Sequence, residues 1–145
     1  MGWTGAAPGR VLGLDLGDVR MGVAVSDPDR RLALPLGTVQ VGRPPGELDA
    51  VAGLVTEHGV VLVVVGHPLS MSGGAGPAAR HAEAFAEALR SRLTVPVELQ
   101  DERLSTVEAD RTLRRAGASA RERRRAVDRT AATVILQAWL DTHGA

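Results

Sequence analysis

Apolar residues recur along this chain with two different periods, and the places where the period changes mark out its elements. Val11, Leu12 and Leu14 lead to a single acid, Asp15; the run breaks at Gly17-Asp18 and resumes as Met21-Gly22-Val23-Ala24-Val25. β-formers on either side of a Gly-Asp break predict two strands joined by a tight turn, because Gly and Asp tolerate turn geometry at little cost. Leu32 to Val39 predicts a third, antiparallel strand, in which Pro35 favours an edge or irregular position. Gly42 to Gly46 holds two prolines and predicts a loop. Leu48, Val51, Leu54 and Val55 then recur at helical spacing until His58-Gly59 stops them.

Val60 to Val65 is an unbroken run of valine and leucine, which predicts a strand buried on both faces, as in a parallel sheet. Gly66-His67-Pro68 ends it, and Ser70 to Gly76 predicts a Gly/Ser loop able to move. Pro77 suits a first helical turn, with Ala78, Ala82, Phe85, Ala86, Leu89 and Leu93 as the buried stripe. Val95, Val97 and Leu99 alternate as a fifth strand that closes at Gln100-Asp101-Glu102-Arg103. Ser105 with Glu108 forms a capping box for a helix ending at Ala116-Gly117, and Ser119 with Glu122 forms a second box. The last helix carries Val127 or Asp128, Ala131, Ala132, Ile135 and Trp139 inward. The expected architecture is α/β: a mixed five-stranded sheet, an antiparallel meander continued by parallel strands, flanked by helices. Residues 10–142 are expected to form one domain behind a flexible segment, 1–9.

Composition narrows the chemistry. The 145 residues include no Cys, which removes thiolate nucleophiles, disulfides and cysteine-held zinc or iron–sulfur clusters. Every basic residue other than histidine is Arg, so lysine catalysis is excluded as well. The longest apolar runs are strand-length and the N-terminal residues lack the order of a signal peptide, so a cytoplasmic protein with no membrane partner is expected. Net charge is zero, but residues 103 to 129 hold nine Arg against four acids, while the first hundred hold eight Arg against ten. That basic segment is either a phosphate-contacting surface or a solvated helical face.

Three acids stand out by context. Asp15 interrupts a core-bound run, where a carboxylate is costly unless it is paired, hydrogen-bonded or bound to a cation; the alternative is that it accepts hydrogen bonds from the following turn. Asp101-Glu102 closes the fifth strand. Asp128 shares the apolar face of the last helix, and its alternative role is an intrahelical pair with Arg124 or Arg125. If the three acids converge, they make an oxygen-only site suited to Mg²⁺ or Mn²⁺, and two such ions ~4 Å apart can stabilise both attacking and leaving oxygens in phosphodiester hydrolysis.

Gly13 to Asp27 (GLDLGDVRMGVAVSD), Val64 to Met71 (VVGHPLSM), Asp101 to Thr106 (DERLST) and Asp128 to Leu140 (DRTAATVILQAWL) occur in order over nearly the whole chain and together resemble the YqgF/RuvX family. The resemblance implies a ribonuclease H-like fold related to Holliday-junction resolvases. It implies a cytoplasmic nuclease, in the family role of maturing the 5′ end of pre-16S ribosomal RNA. It also implies Asp15, Glu102 and Asp128 as the catalytic, metal-ligating acids with one or two Mg²⁺ or Mn²⁺ ions. Two departures stand out: Ser72 follows Met71 where an acid is common, and the basic segment is Arg121, Arg123, Arg124 and Arg125 where lysine is common. The first weakens a metal-binding role for the loop; the second changes little, because Arg binds phosphate with two hydrogen bonds.

Other residues keep two readings. Adjacent strand residues face opposite sides, so either Asp101 or Glu102 is the ligand, with Glu102 favoured by reach and family position. Arg20 and Arg103 either hold substrate phosphate or form salt bridges to Asp18 and Glu102. His67 either touches substrate or is structural, and Ser105 and Thr106 suit a helix cap rather than a nucleophile. Gly-x-Asp-x-Gly also resembles the phosphate loop of actin-like and sugar-kinase ATPases, but those clamp nucleotide between two such domains. Nucleic acid is the expected partner, with an rRNA precursor favoured over branched DNA and a monomer or weak homodimer as the acting form. A non-catalytic nucleic-acid-binding protein is the alternative of another class.

Overall fold

Strand residues alternate between two faces, and in this chain both faces are apolar, so the sheet must be covered on both sides. A computed structural model, which describes residues 9–42, 46–70, 72–103 and 130–143, has that arrangement. Five strands, β1 (Arg10–Leu16), β2 (Arg20–Ser26), β3 (Ala33–Gln40), β4 (Val60–His67) and β5 (Val97–Asp101), form one sheet in the order β3-β2-β1-β4-β5. β1 runs antiparallel to β2 and β2 to β3, whereas β1 is parallel to β4 and β4 to β5. Among the described residues the helices are α1 (Gly46–His58), α2 (Pro77–Arg92) and α3 (Ala131–His143).

On one face Leu12, Leu14, Met21, Val23, Val63 and Val65 pack with Val51 of α1 and with Phe85, Ala86 and Leu89 of α2. On the other, Val11, Ala24 and Val64 pack with Ala132, Ile135, Leu136, Trp139 and Leu140 of α3. The α2 stripe starts one residue later than expected: Ala79 is buried and Ala78 is exposed, since the helix from Pro77 turns residue 79 onto the face shared with Ala82 and Ala86. Gly59, at φ 63°, stops α1 in the left-handed region that glycine tolerates.

β3 is an edge strand, as Pro35 predicts, and its pairing with β2 shifts between Val23 and Ala24. Val23 pairs with Gly37 and Ala24 with Pro35, so Leu36 is the extra residue of a bulge, beside Gly37 at φ 121°. Thr130 caps α3, its Oγ1 accepting the Thr133 N–H at 3.2 Å. The two expected capping boxes, the helix that the first of them starts, Arg121, Arg123, Arg124, Arg125 and Asp128 lie outside the described residues, as does most of the expected N-terminal segment.

Candidate active site

The parallel strands β1, β4 and β5 end at the same edge of the sheet, and that edge gathers the chemistry. Asp15 sits one residue before the end of β1, paired across the hairpin with Gly22 of β2. The turn is closed by the Gly17 N–H, which donates to the Arg20 carbonyl at 3.0 Å; a Cβ on Gly17 would stand 2.6 Å from that oxygen, so the turn requires glycine. Glu102 follows β5 directly, its N–H donating to the His67 carbonyl at 3.1 Å.

Both carboxylates lie on the α3 side of the sheet, in room left by glycines. A Cβ on Gly22 would lie 3.6 Å from the Asp15 Cβ and 3.5 Å from that of Ala132. A Cβ on Gly66, in the strand between β1 and β5, would lie 2.7 Å from Glu102 Oε2 and 2.6 Å from Ile135 Cδ1. One on Gly13 would be 2.7 Å from the Leu136 Cβ. Three glycines on three adjacent strands thus let α3 approach closely and leave a recess for the acids. The signal for them is present in the sequence, since glycine inside a strand marks a close approach.

The electrostatics follow from that recess. Burial disfavours the charged form of Asp15 and holds its pKa above the ordinary value. Glu102 is raised first by burial and then by the charge of Asp15, while His67 partly offsets both. Among the described residues no third acid or histidine joins them as a ligand cluster.

Strand alternation separates Asp101 from its neighbour. Asp101 pairs in register with His67 on the face away from α3, and its carboxylate takes three groups of Arg103: the backbone N–H at 2.9 Å, Nε at 3.0 Å and Nη2 at 2.6 Å. Hydrogen bonds from the Arg103 side chain hold the Asp101 pKa below its ordinary value. Of the two readings of Arg103, the salt bridge to Glu102 is not the one formed: Arg103 pairs with Asp101, because Asp101 and Arg103 lie on one side of the chain and Glu102 on the other.

Arg20 is exposed at the start of β2 and, among the described residues, forms no salt bridge, so the alternative pair with Asp18 is not formed there. His67 Nε2 meets Glu83 Oε2 of α2 at 2.7 Å, tying the end of β4 to that helix. Ser70 closes its own loop: its Oγ accepts the Gly74 N–H at 3.0 Å and its carbonyl accepts the Gly73 N–H at 2.8 Å. Sequence reasoning missed this closure and the contact of Trp139 Nε1 with Glu98 Oε1 at 3.1 Å, which anchors α3 to the edge strand. No helix among the described residues is long and apolar enough to cross a membrane.

A family profile described as "RuvX: Holliday junction resolvase" matches residues 9–142. A relative from Anaeromyxobacter sp. is 52% identical over 132 residues, 91% of this chain and 96% of its own length. Another, from Mycolicibacterium paratuberculosis, is 50% identical over 134 residues, 92% of this chain and 80% of its own. Both carry the name "Putative pre-16S rRNA nuclease". The solved structure of Thermus thermophilus RuvC matches with a TM-score of 0.55 and 17% identity, over 92% of this chain and 95% of that one, a likeness of fold.

Proposed function

This chain belongs to the RuvX family and has a ribonuclease H-like fold, and from that premise we propose that it is a metal-dependent endonuclease that hydrolyses phosphodiester bonds in maturing the 5′ end of pre-16S ribosomal RNA, in the cytoplasm. The observation that carries this reading is the meeting of two partly buried carboxylates, Asp15 and Glu102, at the shared end of the parallel strands. Two acids crowded in a recess are costly to the fold and useful to a cation site. The names of the relatives support RNA as the substrate.

Carboxylate oxygens alone, in a chain without cysteine, fit one or two Mg²⁺ or Mn²⁺ ions, with Asp128 as the third ligand beside Asp15 and Glu102. When bound, the cation supplies Lewis-acid polarisation of the scissile phosphate and offsets the charge that develops on it. The chain's own residues do the rest. The end of β1 places Asp15 and the turn after β5 places Glu102, Ala132 and Ile135 close the recess on the α3 side, and Arg20, Arg103, Arg121, Arg123, Arg124 and Arg125 draw in the phosphate backbone.

The test incubates the purified protein, with Mg²⁺ or Mn²⁺, with a transcript spanning the 5′ end of pre-16S rRNA or with a four-way DNA junction. This reading expects metal-dependent cutting of the transcript, lost with chelator and in Asp15→Asn and Glu102→Gln while RNA binding persists. A monomer or weak homodimer suffices for that cut, whereas resolving a junction calls for paired sites in a symmetric dimer. Cutting of the junction alone would move the chain to the activity in the family description. Binding of both without cutting would make it a non-catalytic nucleic-acid-binding protein.

A further inference from the structure

Resting on the reading of this edge as a nucleic-acid site, we infer that Asp101 is a positioning residue that aims Arg103 at a substrate phosphate and keeps its charge away from Glu102. The turn after β5 needs only one acceptor, for the Arg103 N–H, and Asp101 Oδ1 supplies it at 2.9 Å. Yet the same carboxylate also takes Nε and Nη2, which occupies one edge of the guanidinium. What is left over is Nη1, which among the described residues has no partner and stands 3.4 Å from the place a Cβ on Gly73 would take. Arg103 is thereby fixed between the end of β5 and the Ser70-closed loop, with a forked pair of N–H groups to spare. Its ammonium-like counterpart, a lysine, would lack that second edge.

The alternation that sends Asp101 to one side and Glu102 to the other has a second effect. Without Asp101, the carboxylate adjacent in sequence to a flexible Arg103 is Glu102. A guanidinium there would compete with a cation for the same oxygens. The D-E-R triplet thus assigns one acid to the metal side and one to the arginine.

Simple electrostatics predicts the opposite result from positioning, which makes the test sharp. Removing a negative charge beside a phosphate-binding edge should tighten RNA binding; removing the group that aims Arg103 should loosen it. The experiment measures binding of a single-stranded fragment of the pre-16S transcript, in chelator, to the full chain and to Asp101→Ala, Asp101→Asn, Arg103→Ala and the double alanine variant. Positioning expects Arg103→Ala and Asp101→Ala each to weaken binding about tenfold and the salt slope to fall by about 0.7, one single-strand phosphate contact. The double variant should be no worse than Arg103→Ala, and Asp101→Asn, which keeps one oxygen for the turn, should recover part of the affinity. Binding by Asp101→Ala as tight as the parent's, or losses that add in the double variant, would overturn the inference. If the cycle behaves as expected while the parent cuts no substrate with either metal, the nuclease reading fails and the positioning of Arg103 stands.

Discussion

The carboxylate of Glu102 occupies the place that a side chain on Gly66 would take: its Oε2 lies 2.7 Å from where that Cβ would be. β4 therefore contributes to the site by what it lacks. Gly66 leaves space between Asp15 on β1 and Glu102 after β5, and the strand leading up to it is filled with valine.

Gly66→Ala follows directly. The added methyl meets Glu102 Oε2 and, at 2.6 Å, Ile135 Cδ1, both ends of side chains able to shift, so the fold survives at a cost of about 1–3 kcal/mol. Glu102 is pushed out of the recess, and cleavage should fall about a hundredfold or more, as a misplaced group costs far more in rate than in stability. Gly13→Ala is the control. Its methyl meets the Leu136 Cβ at 2.7 Å and a backbone oxygen of Ala132 at 3.3 Å, so it should cost more stability. Melting curves beside cleavage rates separate the two; equal rates for Gly66→Ala and the parent would show that Glu102 works elsewhere.

Metal-free stability should depend on pH with two opposed contributions. Asp15 and Glu102 have folded pKa values above their unfolded ones. Their contribution is full below the unfolded values and is lost as pH rises through the folded ones. Asp27, which accepts N–H bonds from Leu32 and Arg31, and Asp101, held by Arg103, are shifted down. Theirs is full above the unfolded values and lost as pH falls through the folded ones. In chelator, Asp15→Asn and Glu102→Gln should therefore melt above the parent at pH 7, with the advantage vanishing once the pH falls below the unfolded carboxylate values. Asp27→Asn should melt below it at pH 7. A variant order that did not change with pH would contradict these shifts.

The basic segment is tested by salt. Arg123→Glu with Arg124→Glu should weaken RNA binding and flatten its salt dependence by roughly 0.7 for every single-strand phosphate that the segment no longer touches. The fold should be retained. Unchanged affinity and slope, measured by titration at several salt concentrations, would make the segment a solvated face.

How much of this was legible in the sequence depends on range. Local patterns carry far: the Gly17-Asp18 break, the helix stop at Gly59 and the edge position of Pro35 each follow from the backbone preferences of a few neighbouring residues. The place of Asp15 near a strand end is equally local. Which of Asp101 and Glu102 turns toward α3 depends on the register of β5 against β4, set by pairs such as His67 with Asp101, and no spacing reveals it. The partner of Arg103 follows from that same register. The Ala79 stripe escapes for a smaller reason: two alanines in a row offer no contrast from which to read helical phase. Asp128 and the arginines before it lie outside the described residues, so they rest on sequence alone.

Asp128 separates metal binding from structural pairing most sharply. If it joins Asp15 and Glu102, the metal-free protein carries a third like charge beside two that already resist ionisation, and a cation relieves all three. Asp128→Asn keeps the shape and removes that charge, so in chelator the variant should be at least as stable as the parent. Adding Mg²⁺ or Mn²⁺ should stabilise the parent by about 2.7 kcal/mol at a hundredfold excess over the dissociation constant, and the variant much less. Cleavage should fall by orders of magnitude while RNA binding through the arginines persists. A pair with Arg124 or Arg125 predicts the reverse: the variant loses stability in chelator, and metal affects both proteins alike. Melting curves of parent and variant, with and without metal, therefore decide it, and a variant weakened in chelator with an undiminished metal response would remove Asp128 from the site.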